Sequence, residues 1–328
     1  MTVRPGQQYP PALTRGHLST ANVSEPTPAR SKRGGVDVTL SVDSSVIADS
    51  NVTSASDLRS LTVLTDRGPV DVEVGRAGRA LSAIGYGASA TLTAQFALAG
   101  NARLQADAEG YALVYPGSVP DDRSLQFAAG IGVDGHGEST LLQLVAFERW
   151  RGSETAMRGF GVRAKWLHDL PGRRHVGISL DARRFHSDWG AALTGHSASA
   201  FLSYDMPVDA ESTAVFGAYA RLDAMRDDTY SDRALGAYAS LSHYFGSHLN
   251  GGITAGIGRT WYEAPMRFLS PDPRQDWSGY ASVWLTTRKP VLAGFYPSVT
   301  YTHNRTASSI RYFSLERHRL RLGVSRDF

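Results

Sequence analysis

The stretch GHGES at 135–139 places a histidine, a glutamate and a serine within five residues. These are residue types of nucleophilic catalysis. A serine nucleophile, however, needs a strained turn that exposes Oγ and a base held against it. Two glycines around a histidine, between two alternating runs, read instead as a hairpin turn. His168, His175, His186 and His196 show neither the HExxH spacing nor the Cys–His spacing of a zinc site. DSNVTSASD at 49–57 spaces acid and amide side chains somewhat as a calcium loop does, but it lacks the glycine and closing glutamate of one and reads as a polar loop. No glycine-rich phosphate loop sits between a strand and a helix. Cysteine is absent, which excludes disulfides, thiolate metal sites and cysteine nucleophiles. The sequence therefore predicts a protein that is not an enzyme and carries no cofactor or metal.

What remains is a set of charged residues spaced by two: Arg163 and Lys165, Asp181 and Arg183, Arg221 and Asp223, and Arg317, Arg319 and Arg321. Residues two apart share one face of a strand, whereas in a helix the same spacing scatters them around the axis. The intervening residues are apolar. Phe160, Val162, Ala164 and Trp166 alternate with the first pair; Val176, Ile178, Leu180 and Ala182 with the second; Leu320, Leu322 and Val324 with the arginines near the carboxyl end. The same pattern recurs from VDVTLSV at 36–42 onward, through LGAYASLSH, LNGGITAGIG and SGYASVWLTT.

This periodicity predicts strands at 36–47, 79–93, 101–114, 124–134, 139–150, 157–168, 174–185, 197–205, 212–223, 233–245, 249–262, 276–288, 294–304 and 314–328. Most exceed the roughly 5–6 residues usual in soluble sheets and suit the roughly 9–11 residues of a tilted strand that crosses a bilayer. The connections alternate as well: short turns such as DGHGE and FGSH against longer polar stretches such as 186–196 and 264–275. The prediction is an all-β, transmembrane, antiparallel up-and-down β-barrel of about 14 strands over 36–328, in an outer membrane with its long loops outside. A mean hydropathy of −0.24 does not oppose this, because alternating strands average out. Tyr115, Trp150, Trp166, Tyr204, Tyr244, Trp261, Trp277, Tyr296 and Tyr312 are candidates for interfacial aromatic girdles. Residues 1–35, rich in Pro, Ser, Thr and Arg and without the apolar core of a signal peptide, read as a disordered or linker segment.

In such a barrel the apolar face meets lipid and the charged set lines the lumen, so Arg163, Lys165, Asp181, Arg183, Arg221, Arg317, Arg319 and Arg321 are the candidate channel or client contacts. Their balance is basic, although the same residues can simply pair with lumen carboxylates. The 31-residue stretch Ala48–Gly78 is a candidate plug or a plain external loop. A closed sheet has no free edge, so the last strand must pair with the first, and the chain can stop at Phe328. Arg326 interrupts the apolar face there and is expected to snorkel to headgroups. A net charge of +3 without a clustered basic face gives no nucleic-acid partner.

The last third contains RQDW at 274–277, GFYP at 294–297, the stretch Asn304 to Ser309, and Arg317-His318 leading into GVSRDF; DSSVIADSNVTSA stands at 43–55. With these motifs the chain resembles the carboxy-terminal barrel of the surface lipoprotein assembly modifier family. The resemblance implies an outer-membrane protein that helps lipoproteins cross to the cell surface, with no catalytic residues. Independently of the family, a closing strand that ends on Phe328 is the expected recognition signal for the barrel-assembly machinery, as in outer-membrane barrels generally. Members typically carry a periplasmic tetratricopeptide-like helical domain before the barrel, and Met1–Gly35 shows no helical repeat. The alternative function is a passive porin for small, anionic solutes.

Overall fold

The computed structural model describes residues 35–117, 119–291 and 293–328. The segment 1–35 falls outside them except for its last residue. The strands are β1 (Val36–Asp49), β2 (Ser60–Thr65), β3 (Gly68–Glu73), β4 (Ala83–Ala97), β5 (Ala102–Val114), β6 (Asp122–Asp134), β7 (Glu138–Arg151) and β8 (Glu154–Leu170). They continue as β9 (Arg174–Ser187), β10 (Gly195–Pro207), β11 (Ser212–Met225), β12 (Asp232–Phe245), β13 (Leu249–Pro265), β14 (Pro273–Thr287), β15 (Tyr296–Ser308) and β16 (Leu315–Asp327). All except β2 and β3 form one closed antiparallel barrel of fourteen strands in which sequence neighbours pair, and β16 pairs with β1. Every predicted barrel strand is present. The β2–β3 hairpin is an addition, built inside what the sequence reading treated as loop.

The alternation that defines the strands also sorts their faces. Leu144 is 71% exposed and Phe160 65%, while Gln143 and Arg163 beside them are buried. The apolar residues thus point outward, where only lipid can cover them. Toward the long-loop end the outer face changes character: Arg123, Arg158, Arg184, Arg233 and Arg305 are exposed there, at the level of charged headgroups. Arg259 sits between Trp261 and Trp277, 5.0 and 5.1 Å from their ring centroids. Leu144 lies near the middle of β7, so Leu144→Lys is expected to lower stability by about 2–4 kcal/mol, read as a lower urea midpoint for unfolding from lipid vesicles.

Four of the predicted girdle tyrosines lie elsewhere: Tyr244 and Tyr296 share the inner-face register of Ser240 on β12 and Thr300 on β15, and the other two pack under loops. Tyr115 is buried with Ile47, Val52 and Leu113 in a small cluster under the first loop. Tyr312 packs against a second cluster of Met266, Ile310 and Phe313. Both clusters narrow the mouth instead of facing lipid. The long loops are also shorter than predicted, because the strands run on past the apolar alternation. The stretch 186–196 reduces to a connection of seven residues, 188–194, between β9 and β10.

On β11 to β14 the inner face is built from glycine set opposite tyrosine. Gly217 faces Tyr238, Tyr219 faces Gly236, and Gly256 lies between Tyr238 and Tyr280. A Cβ at Gly217 would come within 2.2 Å of the Tyr238 ring, and one at Gly236 within 2.3 Å of the Tyr219 ring. Only glycine leaves room for each ring to lie flat over the neighbouring strand, as aromatic side chains do when they cover strand glycines.

Candidate functional site

The lumen holds a cavity of about 1250 Å³. One wall is aromatic, with Phe201, Tyr219, Tyr238, Tyr280 and Trp284; the other is charged. Alternation puts the whole predicted lumen set on the inner face, and the structure supplies partners for most of it. Asp181 accepts from Arg183 at 2.5 and 2.8 Å and from Arg163 at 3.2 Å. Arg221 bridges Asp223 at 3.1 Å and Asp232 at 2.7 Å. Arg317 and Arg319 both reach Asp49, and Arg321 reaches Asp43. Lys165 follows Arg163 on the same face, half-buried. Arg149–Asp122, Arg274–Asp276 and Arg103–Asp134 extend the set. The basic stripes are thus largely neutralised by aspartates on the same or neighbouring strands. The lumen is a zwitterionic lattice with little free positive charge, which removes the main reason for expecting anion preference.

The densest part of that lattice closes the barrel. The ladder between β1 and β16 runs from Ser41↔Asp327 to Asp49↔Arg319. It is shorter than the β1–β4 ladder, which runs from Val36↔Phe96 to Asp49↔Ala83. Side chains reinforce it. Asp49 is completely buried on its side chain. It accepts from Arg317 Nε at 2.9 and 3.0 Å, Arg319 Nε at 3.2 Å, the Asn51 amide at 3.0 Å and Tyr115 Oη at 3.1 Å. Burial, together with the Asp49 charge, pushes the Tyr115 phenol up to about 12, so it stays a donor throughout the physiological range. The sequence reading found the arginines but missed Asp43 and Asp49. The signal was present: continuing the VDVTLSV alternation of 36–42 through position 49 places both on the inner face of β1.

DSNVTSASD leaves β1 as a loop, but a buried one. Asn51 is 1% exposed and Ser56 2%. Asn51 Nδ2 donates to the Ala55 and Glu316 carbonyls, and its Oδ1 accepts from the Ala55 amide and Thr53 Oγ1. With every polar atom of its side chain satisfied, Asn51 wedges residues 51–56 into the mouth against β16. From this foot the β2–β3 hairpin reaches over the cavity, with Leu61, Val63 and Val72 turned toward it. The Leu64 amide donates to the Phe268 carbonyl at 2.8 Å, which ties the hairpin to the β13–β14 connection.

At the opposite end Phe328 exchanges backbone hydrogen bonds with Leu40, 2.8 and 3.3 Å long. Arg326 is held by the chain itself. Its Nη1 donates to the Ala293 carbonyl at 2.7 Å, and its guanidinium lies 4.3 Å from the Phe328 ring centroid. The arginine anchors the terminal aromatic to the last short turn.

Residues 39–328 match the family model described as surface lipoprotein assembly modifier. The chain belongs to that family. No curated protein matches it. Among solved structures it is similar to the outer membrane channel DcaP of Acinetobacter baumannii, at 12% identity and a TM-score of 0.48, covering 92% of this chain and 99% of that one. It is also similar to a loop-deletion mutant of OmpT, an outer membrane protein of Vibrio cholerae, at 6% identity and a TM-score of 0.47, covering 90% and 100%. An outer membrane channel from Pseudomonas putida gives 12% identity and a TM-score of 0.45, covering 93% and 100%.

Proposed function

We propose that this barrel assists the passage of lipoproteins to the cell surface, without a catalytic step. The observation that carries the proposal is membership of the surface lipoprotein assembly modifier family across the whole barrel, residues 39–328. The lumen supports it physically. Paired charges and tyrosines offer a polypeptide hydrogen-bond donors and acceptors without one strongly attractive site that would trap it. The short, side-chain-laced β1–β16 seam is the second route, one that lets a lipid-modified end stay in the bilayer while the polypeptide crosses. Of the charged set, Arg183, Arg221, Arg317, Arg319 and Arg321 border the first route, with Arg163, Lys165 and Asp181 on the same inner face of β8 and β9 behind it, and Arg317, Arg319 and Arg321 also border the second. The test is co-expression of the barrel with a candidate surface lipoprotein, followed by protease digestion of intact cells. Surface cleavage that requires the barrel is the expected result. Equal cleavage without the barrel sinks the proposal.

A passive channel is the second reading, favoured by the 1250 Å³ cavity. Planar-bilayer recording separates the two: a large, stable conductance supports the channel, a small or intermittent one the assembly role. For biogenesis, the proposed signal is Phe328 with its strand, read by the barrel-assembly machinery. Removal of Phe328 is expected to reduce the heat-resistant, folded fraction in the outer membrane, and an unchanged fraction excludes it.

A further inference from the structure

Two histidines and a glutamate meet on the outer face of the last two strands. His303 on β15 and His318 on β16 are direct cross-strand partners, with ring centroids 4.5 Å apart. Glu316 precedes His318 by two residues and shares its face. Its Oε1 lies 3.4 Å from His303 Nε2 and 3.3 Å from His318 Nε2. Ligand atoms bound tetrahedrally at roughly 2.0–2.1 Å are separated by about 3.3 Å along each edge. Two edges of this triangle already have that length, and all three donor atoms lie within 4.8 Å of one another.

Two further features suit an ion more than a hydrogen-bonded cluster. His303 Nε2 is shielded from solvent and has no hydrogen-bond partner among the described residues; it faces the carboxylate without hydrogen-bond geometry. His318 Nδ1 lies 2.8 Å from Tyr301 Oη. When Nδ1–H donates to the phenol oxygen, the Nε2 lone pair is fixed toward Glu316. Metal-binding imidazoles are commonly oriented through their remote nitrogen in this way.

We propose that His303, Glu316 and His318 form a binding site for a divalent transition-metal ion of the zinc class. Imidazole and carboxylate donors are the ligand types such ions take. The site lies just above the lipid-facing run Leu320, Leu322 and Val324, so its remaining coordination position opens to water at headgroup level. An ion there would clip β16, the closing strand, to β15. The ligands stand on two strands and follow no local spacing motif, so only the β15–β16 register brings them together.

The experiment uses the full chain, tag-free, folded in detergent and stripped with chelator. It is titrated with Zn²⁺ by calorimetry and with Co²⁺ by absorption spectroscopy. The expected result is one Zn²⁺ per chain and a tetrahedral Co²⁺ spectrum. Tyr301→Phe should weaken binding about 10–100-fold, and His303→Ala or His318→Ala should weaken it further, while His136→Ala changes nothing. Glu316→Gln, on an exposed side chain, serves where a histidine variant does not fold, with folding checked by heat-resistant mobility. Absence of stoichiometric binding to the native chain overturns the proposal. So does tight binding retained by the folded Glu316→Gln and histidine variants.

Discussion

Asp49→Ala is expected to lower the stability of the barrel by about 3–5 kcal/mol, the largest effect of any single side chain at the seam. The carboxylate is fully enclosed and is the common acceptor for Arg317, Arg319, the Asn51 amide and Tyr115 Oη. Removing it leaves the largely buried Arg317 guanidinium without its carboxylate, with Ser54 Oγ still accepting from Nη1. The destabilisation comes more from that unpaired charge than from lost attraction, because breaking one half of a buried pair costs far more than the pair contributes. A second result follows. Asp49→Ala combined with Arg317→Met should recover much of the loss, since it removes both charges and keeps an apolar side chain at the position. Urea titration in lipid vesicles and the temperature at which the compact band disappears measure both variants. A shift below about 1 kcal/mol, the size of a solvated pair, would show that water screens Asp49 and that the seam is held by its backbone ladder alone. Asp43→Ala is the internal comparison. Its side chain is 21% exposed and meets one arginine, so its effect should be smaller.

The barrel was legible because a bilayer enforces one rule on every strand. Outward residues must be apolar, and that leaves a period of two from Val36 to Val324. The rule weakens where lipid ends, and there the reading weakened too. Around Arg184, His186 and His196 both faces are polar, so strands that continue look like loops. Tyr115 and Tyr312 sit at strand ends as girdle tyrosines do, and only packing reveals that loops cover them. The inner face obeys no such simple rule. The arginines of β16 stood out as three in register, but their counter-ions are single aspartates on β1, distant in sequence and adjacent only because the barrel closes. The β2–β3 hairpin was readable in principle: Leu61 and Val63, then Val70 and Val72, alternate on either side of a turn ending at Gly68. Its two strands are short and its surroundings polar, so the segment resembles loop in the sequence.

Deleting that hairpin is expected to open the lumen. Residues Ser60–Glu73 can leave without disturbing their anchor, because the Val74 amide already donates to the Arg59 carbonyl at 2.8 Å. The two cut ends lie side by side, and a pair of glycines joins them. The foot at 51–56, with Asn51 and Val52 buried, stays wedged in the mouth, so thermal stability should change little. Conductance across a planar bilayer should rise several-fold, since Leu61, Val63 and Val72 form an apolar cover over a cavity with one charged wall, and apolar constrictions obstruct ions by excluding water. A milder test breaks only the far attachment: Phe268→Pro perturbs the backbone that accepts from Leu64 and should lengthen open times without removing the hairpin. Unchanged conductance in the deletion would place the barrier deeper, at the tyrosine wall. The same variant also bears on export. If a client polypeptide uses the lumen, removing the cover leaves its surface delivery intact. If the hairpin itself engages the client, delivery falls while conductance rises, and the two functions of the loop come apart in one molecule.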